Sequence, residues 1–289
     1  MSAGPTNVAA MRLHVGCAMW THPAWQDRQM PSAQRLRWYA ERCDAVEGNT
    51  TFYAIPSPGT VRSWAQQTGP DFRFVAKLPR AITHERRLTG AAAELGAFLD
   101  VLAPLGPRLH TVWIQLPASF GPTDLGALAA FLRTLPAGPC RAVEVRHRAF
   151  FDDERAAAAL ERVLDRAGAE WTIFDTTVLF GAPPRGPAEQ EAWAKKPRVP
   201  RRTRALTAHP MVRYHGRDDP AETVAGWQPW LPVVAGWLRE GRSPTVFVHT
   251  PDNAGALDLA RRFHTEVRAL VPELDPLPEP VDSEPMTLF

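Results

Sequence analysis

The sequence predicts a single (β/α)8 barrel, an α/β fold, with a long basic insertion between strands 6 and 7. Three observations lead there. Eight short runs rich in β-branched and apolar residues recur along the chain, and segments with helical spacing of apolar residues lie between them. The length, 289 residues, also suits one barrel, for which about 250 is typical.

The elements follow in order. LHVGCA at 13–18 reads as strand 1 and leads to a helix over 33–43; AVEGNTTF at 45–52 reads as strand 2, with a helix over 60–67. FRFVAKL at 72–78 and TVWIQL at 111–116 give strands 3 and 4, followed by helices over 91–102 and 125–135. RAVEVRH at 141–147 is strand 5, with a helix over 154–168, and WTIFD at 171–175 is strand 6. MVRYH at 211–215 and TVFVHT at 245–250 complete the set, with helices over 227–240 and 254–270. Residues 176–210 are too long for a plain βα loop and are crowded with proline and charge. Within them KKPRVPRRTR, at 195–204, places six basic residues in ten. This run is read either as an attractor of phosphate or carboxylate groups or as a solvated, mobile loop. Residues 1–10 are expected to be flexible, 11–272 to form the barrel and 273–289 to be a proline-rich tail.

Composition narrows the function classes. Hydrophobic residues make up 45% and charged ones 22%, the balance of a folded chain. With 33 Lys plus Arg against 31 Asp plus Glu, a globally basic nucleic-acid coat is excluded. The three cysteines are odd in number and form no CxxC pair, which supports neither a disulfide framework nor a zinc knuckle. No apolar run reaches the ~18 residues of a membrane span, and the start lacks the pattern of a secretory signal. A cytoplasmic protein in a reducing compartment is expected. No Gly-rich phosphate loop occurs, so no nucleotide cofactor is implied. Lysine is confined to Lys77, Lys195 and Lys196, so 30 of the 33 basic residues are arginine and a lysine inside a strand invites a chemical reading.

In such a barrel the side chains at the carboxyl ends of the strands converge on the active-site mouth. Those ends carry Glu47 and Asn49, Lys77, Gln115, Glu144 with Arg146 and His147, Asp175, Arg213 with His215, and His249, while Tyr53 follows strand 2. A charge on an otherwise apolar strand is costly to bury alone, so these residues imply mutual partners or a solvent-reachable hollow. The catalytic candidates are Glu47, Glu144, Lys77, Asp175 and His215. The substrate-binding candidates are Asn49, Tyr53, Gln115, Arg146, His147, Arg213 and His249. Three chemistries compete: Glu47 with Glu144 as paired carboxylates for acid/base hydrolysis, Lys77 as an amine nucleophile or phosphate ligand, and a divalent metal on Glu47, Glu144, Asp175 and His215 or His249. No metal-binding spacing such as HExxH marks the last of these, and no ligand set is assigned.

VEGNTTFYAIPSPGTVRSWAQQTGPDFRFVAKLPRAITH, at 46–84, resembles the YecE-like family, domain of unknown function 72. The resemblance continues through IQLPASF, AVEVRHRAF, VRYHGR and HTPDNAGAL and covers most of the chain. It implies a TIM-like barrel and assigns no reaction. Carried over by position, it marks Glu47, Asn49, Thr51, Tyr53, Lys77, Gln115, Glu144, Arg146, His147, Asp175, Arg213 and His215. The chain departs from the family's Gly-Thr-Ser-Gly-Trp opening with GCAMW at 16–20, and has Thr250, Pro251, Asp252 and Asn253 where paired asparagines are common.

The last five residues, PMTLF, resemble the short peptide by which bacterial proteins dock into the replication sliding clamp, with Met286, Leu288 and Phe289 as the apolar anchors. The functional expectation is a hydrolase acting on a small anionic substrate, a phosphoester or nucleic-acid-derived compound. A binding or adaptor protein, and a sugar isomerase or glycosidase, are the alternatives.

Overall fold

The structure is a computed structural model and describes residues 12–279. Its strands are β1 (His14–Cys17), β2 (Ala45–Gly48), β3 (Arg73–Lys77), β4 (Leu109–Gln115), β5 (Cys140–Glu144), β6 (Ala169–Trp171), β7 (Ile173–Asp175), β8 (Met211–His215) and β9 (Thr245–His249). Every pairing is parallel, and the strands run β6-β5-β4-β3-β2-β1-β9-β8-β7. The two ends of that order, β6 and β7, are consecutive in the chain with Thr172 alone between them. The chain itself therefore joins the edges and closes the barrel. The expected sixth strand is thus two short ones, broken where the Thr172 N–H donates to Val143 O at 2.9 Å.

Helices α1 (Ser32–Ala40), α2 (Pro58–Gln67), α3 (Ala92–Leu102), α4 (Leu125–Leu132), α5 (Ala149–Asp152) and α6 (Glu154–Arg166) occupy the first five connections, the last two sharing one. After them come α7 (Pro187–Lys195), α8 (Pro220–Trp227), α9 (Trp230–Arg239) and α10 (Ala256–Leu270). Their starts are written in the sequence. Ser57 accepts the Thr60 N–H at α2 with Pro58 next in line, and Asp153 accepts two N–H groups at α6. The predicted 227–240 helix is α9, with α8 before it and Pro229, which has no N–H to donate, at the break.

Side chains alternate between the two faces of each strand, and the alternation sorts the interior. Val15, Val46, Ala76, Val112, Val143, Val212 and Val246 face outward into the large apolar layer beneath the helices. Ala45, Val75, Trp113, Ala142, Met211 and Phe247 face inward and form a separate apolar cluster that plugs the barrel. Two residues further along each of these strands stand Glu47, Lys77, Gln115, Glu144, Arg213 and His249. The mouth is therefore a polar layer, supplied by six of the nine strands, laid directly on an apolar one.

The connection over 176–210 is ordered against the barrel rather than free. It contains α7; Arg201 binds Asp175, and Arg202 and Arg204 both bind Glu161. Part of the expected tail is also packed: Leu274 is buried, and Arg268 Nε donates to its carbonyl at 2.8 Å. The expected flexible segment 1–10 and the clamp-docking residues Met286, Leu288 and Phe289 lie outside the described residues. No helix among the described residues is long and apolar enough to cross a membrane.

Candidate active site

Above the polar layer lies a cavity of about 510 Å³, a size suited to a small ligand. Six cations line it: Lys77, Arg80, Arg146, Lys195, Lys196 and Arg213. Beneath it, in the apolar plug, the Trp113 ring centre lies 4.2 Å from the Arg213 guanidinium and 4.8 Å from Lys77 Nζ.

The two buried carboxylates are already engaged. Glu47 accepts from Arg213 Nε at 2.6 Å, Arg213 Nη2 at 3.0 Å, His249 Nε2 at 2.9 Å and Asn49 Nδ2 at 2.9 Å. Glu144 accepts from Arg213 Nη1 at 2.9 Å, Gln115 Nε2 at 2.9 Å and Arg146 Nε at 3.0 Å. Arg213 thus bridges both acids, and its rigid fork is what allows one side chain to do so. Burial alone would raise both carboxyls. Arg213 and His249 nevertheless hold Glu47 well below the usual carboxylate range, and Arg213 and Arg146 hold Glu144 at about 2. Neither carries a proton at neutral pH, and every carboxylate oxygen of the pair already accepts at least one hydrogen bond. The paired-carboxylate and mouth-metal chemistries both work best with an unengaged oxygen, so this geometry disfavours them.

What remains unpaired faces the cavity. Lys77, 8% exposed, has no carboxylate within 4.0 Å among the described residues; its Nζ lies 4.0 Å from the centre of the Phe52 ring. Burial, then the neighbouring Arg213 and Arg146, outweigh the attraction of Glu144 and bring its pKa down to about 7. Lys196 is likewise without a carboxylate partner among the described residues, and burial with the same two arginines lowers it to about 8. His215 stacks on His249 at 4.2 Å, and its buried Nε2 has no hydrogen-bond partner. Burial and surrounding cations keep that ring neutral. Asn253, held at φ 59° after β9, has its Oδ1 buried without a partner. Asparagine adopts this left-handed region more readily than most side-chain-bearing residues, which suits it to the turn after β9.

The structure gathers Glu47, Asn49, Lys77, Gln115, Glu144, Arg146, Arg213, His215 and His249 at one mouth. Tyr53 stands at its rim, 81% exposed. Two expected residues are not brought there. Asp175 turns to the helix side of its strand, where Oδ2 accepts from Arg201 Nε at 2.8 Å and Trp230 Nε1 at 2.6 Å. It anchors the long connection and does not line the cavity. His147 accepts the Ala149 N–H at 3.1 Å and rests on Gly121, off the cavity wall. Thr51, marked by family position, ties the turn after β2 to the Lys77 carbonyl at 2.6 Å. The expected β2 ends at Gly48, so Asn49 begins a 3-10 turn yet still meets Glu47.

Sequence reasoning missed Arg80 and His84, which line the cavity from the connection after β3, in and beside a π-helical turn at Ala81–Glu85. Burial and Lys77 lower His84 to about 4. The motif that carries His84 was visible in the sequence; the turn that aims it was not. Lys196 was hidden within the basic run, of which only Lys195 and Lys196 line the cavity.

The comparisons with known proteins agree with the fold. The chain is 37% identical over 266 residues to a protein of Escherichia coli O157:H7 described as UPF0759 protein YecE, covering 92% of this chain and 96% of that one. The same figures hold for the Escherichia coli K12 protein of that description. Among solved structures, a DUF72 family protein from Enterococcus faecalis V583 superposes with a TM-score of 0.67 at 18% identity, over 91% of this chain and 98% of that one. One from Thermotoga maritima MSB8 gives 0.66 at 20% identity, over 90% and 99%. At these identities the two structures establish the barrel and no more. The family model described as "Protein of unknown function DUF72" matches residues 14–282, and the chain belongs to that family.

Proposed function

We propose that the barrel mouth hydrolyses a small phosphoester, free or nucleic-acid-derived, with Lys77 exchanging the proton. The observation that carries this reading is Lys77: a buried amine with no carboxylate in contact among the described residues, titrating near 7, in a cavity whose carboxylates are already paired with Arg213, Arg146 or Lys195. A proton carrier works best when its pKa lies near the working pH. Neutral Lys77 would take a proton from the water that attacks phosphorus as the ester oxygen departs. Lys196, Arg146 and Arg80 would hold the phosphoryl oxygens, where charge builds in the transition state. Glu47 and Glu144 would keep Arg213 in place and move no proton.

The test is cleavage of generic phosphoesters and oligonucleotides by the wild type, Lys77→Met and Glu144→Gln, with and without divalent cations. Loss of about 10²–10⁴ in rate for Lys77→Met is the expected result. Wild-type rates in that variant would remove Lys77 from the mechanism.

One observation favours a second reading. An amine whose pKa is depressed by neighbouring cations is also competent to form a Schiff base with an anionic carbonyl compound. Borohydride trapping of such a compound on Lys77, followed by peptide mass spectrometry, separates the two.

A further inference from the structure

At the opposite end of the barrel, where the strands begin, three side chains from distant parts of the chain converge: His110 of β4, Cys140 at the first position of β5, and His209 just before β8. One ligand atom from each lies within 4.8 Å of the others. The geometry points to a binding site for a zinc-type divalent cation at this face, held by His110, Cys140 and His209 with a water in the fourth position.

Two features of the backbone and its surroundings support a built site. The pairing of β3 with β4 steps from Phe74↔Leu109 to Val75↔Thr111, which leaves His110 as the extra residue of a β-bulge. A bulge costs ladder regularity and re-aims a side chain. Here it brings the His110 ring to 5.2 Å from that of His209. The second feature is His209 itself, whose Nδ1 is buried without any hydrogen-bond partner. An orphaned buried nitrogen is costly and calls for a ligand.

The remaining contacts fit metal binding. His110 Nδ1 pairs with Thr111 Oγ1 at 2.9 Å, the outer hydrogen bond that commonly fixes a metal-binding ring and leaves Nε2 for the ion. Zinc bonds of about 2.0–2.3 Å in a tetrahedron place ligand atoms about 3.3–3.8 Å apart. Movements of about 1 Å would close the present spacing of 4.8 Å or less. Two histidines and one thiolate form a donor set that selects zinc over magnesium or calcium. Three protein ligands leave one coordination position open, unlike the closed four-ligand structural sites. This site is independent of the mouth, and its failure would leave the phosphoester reading untouched.

The test uses the full chain, stripped with a chelator and titrated with zinc or cobalt(II). The expected result is one ion per chain and a cobalt thiolate charge-transfer band in the near ultraviolet. That band should vanish in Cys140→Ser, and zinc affinity should fall about tenfold or more in His209→Ala. Alkylation of the wild type needs no variant: Cys17 and Cys43 are buried, so iodoacetamide should modify Cys140, and zinc should slow that reaction. Substoichiometric zinc, a cobalt band that survives in Cys140→Ser, or alkylation of Cys140 at the same rate with and without zinc would each overturn the site.

Discussion

Replacing Lys77 by Met should stabilise the protein at neutral pH and below, and the gain should disappear in alkali. Folding moves the Lys77 pKa from 10.5 to about 7. At 1.36 kcal/mol for each tenfold change in proton affinity, this is a cost of about 5 kcal/mol when the amine is protonated in both states. Against it stands the attraction of the ammonium to the Phe52 and Trp113 rings at 4.0 and 4.8 Å, about 1–2 kcal/mol. An apolar residue of similar length should therefore gain about 3 kcal/mol. The sign runs opposite to the usual lysine case. Below the folded pKa of about 7 both states bind the proton and the full cost is present; between about 7 and 10.5 the unfolded state alone binds it, so wild-type stability rises with pH. Urea unfolding of both proteins at about pH 6.5 and about pH 10 reads the difference directly, because other titrations cancel between them. A variant less stable than the wild type at the lower pH, or a stability difference that does not change with pH, would refute the account of Lys77 and weaken the mechanism built on it.

Arg213→Met should cost about 3–5 kcal/mol in denaturant unfolding, since it strands Glu47 and Glu144 in the barrel without their shared cation; an unchanged midpoint would show that the bridge is dispensable. Gly226→Ala should lose about 1–3 kcal/mol of stability, because a Cβ there would stand 2.0 Å from Val178 Cγ2 and 2.7 Å from the Tyr214 hydroxyl. Inorganic phosphate bound at about pH 8 should bring protons with it, as the anion restores charge to Lys77 and Lys196. Calorimetry in two buffers of different ionisation enthalpy would detect this, and equal heats would count against binding beside these lysines.

The parts of the fold governed by local pattern were legible in the sequence. Strand periodicity of two places Glu47, Lys77, Gln115, Glu144, Arg213 and His249 each two residues beyond an apolar residue of the inner cluster, so reading the strand ends found most of the mouth. The pattern failed where facing depends on distant partners. Asp175 ends its strand like the others, yet the indole of Trp230, from a helix 55 residues away in sequence, draws it to the outer side. His147 lies beyond the true end of β5 at Glu144, where alternation no longer applies. Residues 195–204 offered two readings because charge alone does not reveal which arginines will find carboxylates. Arg202 and Arg204 find Glu161, while Lys196 finds none. The convergence of His110, Cys140 and His209 was beyond reach, since the bulge that turns His110 inward leaves no mark in spacing.

The mouth's charge arrangement bears unequally on the chemistries that the sequence left open. A hydrolase of acetals needs one carboxyl that holds a proton and another that gives up lone pairs. Here three guanidinium nitrogens of one arginine occupy both acids, and each proton affinity is pulled below the normal range. The consequence for the other residues is electrostatic. Because Arg213 and Arg146 balance Glu47 and Glu144, neither acid remains to neutralise Lys77 or Lys196, and the same arginines push both amines toward losing their protons. A ligand with two or more negative charges would reverse that push at both lysines at once, so the cavity gains most from an anion of the phosphate type and least from a neutral sugar. Binding measured against chloride, sulfate and phosphate at constant ionic strength would rank them in order of charge if this reasoning holds. A flat ranking would mean that the lysines are shielded and that the cavity selects by shape alone.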